Sequence, residues 1–308
     1  MNRAELKRYI KGPIATLPTA MDDAYHIDCG RMAELTQWWI ESGYTPDRAP
    51  IKVAAAGGEG PDLRDDEWPH LLRTVVNAAA GEAVVLCGLQ CKDTQGTIED
   101  AKRAQDLGAI GLQIMPPIFH HPTQDDYVRF FSDISDAIEI GIMIYNTPWF
   151  GCESITAETM LRLADAEHVT ALKWSVVEGQ DYDDMRQFAD TFNVIDNSHQ
   201  PIRGHKNGGA GYIDPLAAIY PAHVLKVWEL TENEKYDEAQ ALYESVNLPV
   251  REFRAKLGRR SGGYRLAKGL MDLLGRPVGP PRPPTLPLNE AEMAELRELV
   301  QGFGWPLP

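Results

Sequence analysis

Short apolar, β-rich runs alternate along this chain with longer segments whose apolar residues recur at helical spacing. The first run, Gly12–Ala20, precedes a helical pattern over Asp28–Ser42, with Asp28 placed to cap its start and Gly43 just past its end. Met32, Leu35, Trp38 and Trp39 share one face of that helix, which assigns the tryptophans to a core or an interface. The unit recurs as Ile51–Gly58 with a helix over Asp65–Ala80, Ala83–Leu89 with Thr94–Leu107, and Ala109–Pro117 with Thr123–Ile138. It continues as Gly141–Pro148 with Thr156–Ala166, and Val169–Ser175 with Asp181–Thr191. Phe192–Asn197 then leads through a glycine-rich turn to Gly209–Pro215, followed by a helix over Leu216–Leu230.

Alternating apolar strands and helices predict an α/β fold with a parallel sheet, and eight such units predict a closed (β/α)8 TIM barrel. The competing architecture is an open doubly wound sheet, but no GxGxxG opens the first helix. From Asn233 the strands stop. Helical patterns cover Asn233–Leu257, Gly263–Leu274 and Asn289–Gln301, and the proline-rich stretch between the last two reads as a rigid, extended surface connector. The expected organisation is a catalytic barrel over 1–230 and a C-terminal helical extension over 231–308.

Composition narrows the function. A formal net charge of −15 repels polyphosphates and argues against nucleic acid as a partner. Cys29, Cys87, Cys91 and Cys152 show no paired spacing, so reduced thiols are expected and no metal site. The N-terminus lacks a long apolar core, and no apolar run reaches the roughly 18 residues of a membrane span. The expected location is the cytoplasm, with no membrane partner.

Reactive groups of such a barrel lie at the C-terminal strand ends. Lys173, flanked by Ala171, Leu172 and Trp174, stands out there. Burial lowers the pKa of an amine, and a neutral lysine attacks carbonyl groups; the competing reading is a lysine snorkelling at a strand end. Tyr145 ends the preceding strand, one βα repeat earlier, where a phenol can reach the amine's substrate and move protons, or can simply fill a barrel layer. After the second strand, Gly57 and Gly58 offer backbone N–H groups to a carboxylate, while Glu59 can serve to hold the turn.

With these residues placed, the chain resembles the dihydrodipicolinate synthase/N-acetylneuraminate lyase family of class I aldolases. The resemblance rests on GGE after strand two, the stretch Gly108–Gln124, YNTP at Tyr145–Pro148, LKWS around Lys173, GGAGYI at Gly208–Ile213 and the closing GRPVGPPRPP. It implies that Lys173 forms the Schiff base, that Tyr145 is the catalytic phenol, and that the loop at Gly57 and Gly58 holds the carboxylate of a 2-oxo acid. It further implies that Ile213 approaches the substrate by its backbone, that no cofactor or metal is used, and that the chain forms a homotetramer or homodimer.

Departures bear on the substrate. Where the family's loop carries hydroxyls, this chain has Ala56 and Gly57; its second relay tyrosine and its synthase arginine are matched by Phe119 and Phe150. These losses argue against dihydrodipicolinate synthase itself. Trp149, Phe150, Phe119, His120 and His121 suggest an aromatic mouth for a bulky or aromatic aldehyde, as in hydratase-aldolases, or else a subunit contact. Arg203 and His205, in the loop before GGAGYI, read as solvated charges or as an anion contact. The expected activity is a Schiff-base lyase or aldolase acting on pyruvate or a related 2-oxo acid. The alternatives are a sugar-acid lyase or dehydratase on the same scaffold, and a non-catalytic 2-oxo acid binder.

Overall fold

The computed structural model describes residues 1–258 and 263–308. Eight parallel strands close into a barrel in chain order, β8 pairing with β1. They are β1 (Gly12–Thr16), β2 (Ile51–Val53), β3 (Val85–Leu89), β4 (Gly111–Ile114), β5 (Gly141–Tyr145), β6 (Val169–Trp174), β7 (Asn193–Asp196) and β8 (Gly211–Ile213). After a short α1 (Arg3–Lys7) come α2 (Cys29–Glu41), α3 (Glu67–Ala79), α4 (Thr94–Asp106), α5 (Gln124–Ser135) and α6 (Ala157–Arg162). They are followed by α7 (Pro201–Lys206) and α8 (Pro221–Glu232) on the barrel, then α9 (Tyr236–Leu257), α10 (Tyr264–Leu273) and α11 (Glu290–Gly302).

Local chemistry explains the helix positions. Thr123 and Asp126 form a capping box that starts α5, whose buried Tyr127, Phe130, Phe131 and Ile134 recur at helical spacing against the sheet. Asp28 caps α2 through Arg31 N. Of its two tryptophans, Trp39 is fully buried with its indole N–H on Ala218 O at 2.7 Å, whereas Trp38 is only partly buried and lies under the Arg276 guanidinium.

Two expectations differ from the structure. Asp181–Thr191 forms only a 3₁₀ segment, Tyr182–Gln187, because Tyr182, Met185 and Phe188 all turn inward, with the Tyr182 hydroxyl on Asp196 at 2.8 Å. The glycine-rich turn before β8 contains α7, whose Pro201 start and Gly204 masked its helical pattern. Arg203 and His205 therefore stand on a helix, not a loop. Arg203 pairs with Asp183 at 2.8 Å, and His205 packs on Trp228 and Tyr236.

Inside the barrel, the register places side chains in layers of four from alternate strands. Ile14, Leu86, Met143 and Ile195 form an apolar layer. The next layer toward the C-terminal face is Lys52, Gln113, Lys173 and Ile213, and above it come Thr16, Gly88, Tyr145 and Asn197. Two lysines thus replace apolar residues in one layer of the interior.

Candidate active site

The layer holding the lysines is the floor of a cavity of about 570 Å³ at the C-terminal face, walled by Thr16, Tyr145 and Asn197. Lys173 Nζ sits 3.6 Å from the centroid of the Tyr145 ring, and Tyr145 pairs directly with Lys173 across β5 and β6. Neighbouring residues of both motifs hold this geometry. Asn146 ties its strand end to Ser154 Oγ and Ser175 O at 2.9 and 2.8 Å, and Ser175 Oγ accepts from Asn197 at 2.7 Å. Trp174 points outward, its indole N–H on Tyr182 O at 3.0 Å, so that Lys173 points inward.

Electrostatics follow from enclosure. Burial, reinforced by the nearby Lys52 amine, holds Lys173 well below the ordinary lysine range. Burial also takes Lys52 down to about 7, and its Nζ donates to Gln113 Oε1 at 2.7 Å. The Tyr145 phenol is pushed up to about 12 by the same desolvation. Neutral amine and protonated phenol side by side are a nucleophile and a proton carrier for carbonyl chemistry.

The loop after β2 contributes backbone. Ala56 and Gly57 line the cavity, and their N–H groups have no hydrogen-bond partner among the described residues. Gly58 differs from expectation: its N–H donates to Ala55 O at 2.8 Å and it does not line the cavity. A Cβ on Gly58 would stand 2.2 Å from Leu17 O, so its role is close packing. Ala54 and Glu59 both hold positive φ, +53° and +62°. Glu59 is fully buried; it accepts from Arg282 N at 2.9 Å and pairs with the buried Lys268 at 2.8 Å. The proline-rich segment is consequently more than a surface connector. It crosses the C-terminal face with Val278 and Thr285 buried, and the Arg282 guanidinium grips Glu67, Asp62 O and Tyr25 O.

Comparison with known proteins bears on this arrangement. The model of the dihydrodipicolinate synthetase family matches residues 9–302. The chain belongs to that family. Its members are class I aldolases and lyases that act on pyruvate through a lysine Schiff base. The chain is 27% identical over 307 residues to a 4-hydroxy-tetrahydrodipicolinate synthase of Heliobacterium modesticaldum, covering 94% of this chain and 95% of that protein. A protein of the same name from Acidothermus cellulolyticus is 29% identical over 290 residues, covering 94% and 90%. The fold matches a dihydrodipicolinate synthase structure from Aquifex aeolicus with a TM-score of 0.85 and 22% identity, over 97% and 99% of the two chains.

Within the family frame, the expected aromatic mouth is thinner than the sequence suggests. Trp149 lines the cavity and meets the Tyr145 ring edge-on at 5.8 Å. Phe119 and Phe150 do not line it; they are 83% and 49% exposed. Each lies within a short 3₁₀ turn, where successive side chains point about 120° apart, so Trp149 and Phe150 cannot both face inward. His120 borders a separate cleft beside Asp93, and His121 Nδ1 lies 3.1 Å from Gly151 O, linking the two turns. Ile213 lines the cavity, whereas Arg203 and His205 do not.

Other residues complete the mouth. Arg254 of α9 and Tyr264 and Ala267 of α10 line the cavity, so the C-terminal helices contribute to the site. His199, following β7, stands at the rim; its enclosure and the nearby Arg251 and Arg254 push the imidazole down to about 4. Trp149, His199 and Arg254 also line an adjoining groove of about 1090 Å³ with Leu248 and Arg251. Lys52 and His199 were open to the strand-end reasoning that found Lys173. Arg254 had no local signal, because only tertiary packing brings α9 over the barrel.

Proposed function

We propose that this chain is a Schiff-base lyase or aldolase in which Lys173 condenses with pyruvate or a related 2-oxo acid. The observation that carries this reading is the buried Lys173 amine against the Tyr145 ring at the floor of an open cavity. The neutral amine adds to the ketone carbon, and loss of water from the carbinolamine leaves an iminium. That cation withdraws electrons from the adjacent carbon, which loses a proton to give an enamine. The enamine attacks an aldehyde carbonyl, and the reverse sequence cleaves the same bond. Tyr145 carries protons to and from the carbinolamine and the aldehyde oxygen. The N–H groups of Ala56 and Gly57 orient the 2-oxo acid's carboxylate.

The partner is a bulky or aromatic aldehyde. Trp149 at the mouth and the adjoining groove support this, and Arg254 supplies a cation for an acidic substituent at its far end. The curated relatives are named 4-hydroxy-tetrahydrodipicolinate synthase. Phe150 in place of the synthase arginine, and the absence of loop hydroxyls at Ala56 and Gly57, favour a different acceptor here. Turnover of pyruvate with a graded aldehyde panel tests this. Faster reaction with aromatic aldehydes than with short carboxylated aliphatic ones is expected; the reverse order would return the chain to the synthase reaction. The exposed Phe119 and Phe150 support a subunit contact in a homodimer or homotetramer, which sedimentation measures directly. One fold relative is described as a monomeric variant, so a monomer is the contrary result.

A further inference from the structure

The lysine opposite Lys173 is unexplained by the reaction above. Lys52 and Lys173 lie on β2 and β6, four strands apart in a barrel of eight, and so reach toward the axis from opposite sides of one layer. The layer beneath is wholly apolar and offers neither amine an acceptor. In the layer itself the only acceptor is Gln113 Oε1, and Lys52 has it at 2.7 Å. Among the described residues no carboxylate pairs with either lysine. The carboxylates lining the cavity are engaged elsewhere: Asp62 with the Tyr264 hydroxyl at 2.8 Å, and Asp214 with Asn247 and Leu216 N at 2.6 and 2.7 Å. Tyr145 faces Lys173 from β5, and His199 and Arg254 at the mouth add no negative charge.

Two ammonium groups in such an enclosure repel, so the pair favours a single proton. That proton belongs on the amine with an acceptor. We propose that Lys52 is a positioning residue that, held by Gln113, keeps the shared proton away from Lys173 and so maintains Lys173 as the free nucleophilic amine at neutral pH. This rests on the Schiff-base reading of Lys173. The direction of both amines' shifts agrees with it, Lys173 lying below its ordinary range partly because of Lys52. A lysine buried only for packing has no reason to retain its nitrogen there, since an apolar side chain of similar volume fills the layer without desolvating a charge.

The test is the pH dependence of borohydride trapping by pyruvate, from pH 5 to about pH 10, for the wild-type protein, Lys52→Met and Lys52→Gln. Lys52→Gln retains a hydrogen bond to Gln113 and guards against a folding defect in Lys52→Met. Removing the neighbouring charge raises the midpoint of the rate profile by about one unit or more, roughly a tenfold loss of rate on the acid side of the wild-type midpoint. At the alkaline end, where Lys173 is neutral regardless, the variants recover the wild-type rate. An unchanged midpoint, or an equal loss at every pH, overturns the role given to Lys52. Failure of the wild-type protein to trap pyruvate at any pH overturns instead the Schiff-base reading beneath it.

Discussion

Glu59→Gln is the substitution whose effect follows most directly from the geometry around the site. The Glu59 carboxylate is fully buried, and its partner Lys268 is 4% exposed with Nζ 2.8 Å away. Glutamine keeps an acceptor for Arg282 N but removes the charge, leaving a buried ammonium with only the carbonyls of Pro280 and Val278. Breaking a buried pair from one side costs about 3–5 kcal/mol, a large share of an ordinary domain's 5–15 kcal/mol. The double variant Glu59→Gln/Lys268→Met removes both charges and fills much the same volume, so it recovers most of that loss. Urea denaturation followed by circular dichroism, on both single variants and the double, gives the coupling energy. A cost under about 1 kcal/mol for Glu59→Gln, as for an exposed pair, would refute the reasoning, and so would strict additivity. Because Glu59 shares its loop with Ala56 and Gly57, the single variant also raises KM for the 2-oxo acid.

Tyr145→Phe removes the proton carrier but not the amine; turnover falls about 10²- to 10⁴-fold while pyruvate is still trapped on the protein. Trp149→Ala raises KM for an aromatic aldehyde and leaves the rate of pyruvate trapping unchanged, which steady-state kinetics with each substrate varied separates. Gly58→Ala forces a Cβ to 2.2 Å from Leu17 O and lowers stability by about 1–3 kcal/mol, whereas at Gly57 the nearest atom is the Thr16 methyl at 3.3 Å and alanine costs less. Thermal melts of the two variants rank them.

The barrel was legible because the strands are short and mostly apolar and several of the helices between them carry side-chain caps, as Asp28, Asp93 and Thr123 do. The weak elements failed in sequence for physical reasons: α7 contains proline and glycine, and Tyr182–Gln187 is held by tertiary contacts of Tyr182 and Phe188 rather than by a helical stripe. Lys173 and Tyr145 could be paired because one βα repeat separates them and parallel register does the rest. The orientations of Phe119 and Phe150 depend on tight turns, and the approach of Arg254 depends on how α9 packs, so neither follows from spacing along the chain.

The central claim is a covalent bond at Lys173. Incubation with pyruvate and borohydride, followed by intact-protein and peptide mass spectrometry, tests it without knowledge of the second substrate. The account predicts one adduct per chain, heavier by one pyruvate less one oxygen, located on the peptide carrying Lys173 and absent from Lys173→Ala. No adduct, or one that persists in Lys173→Ala, would contradict it.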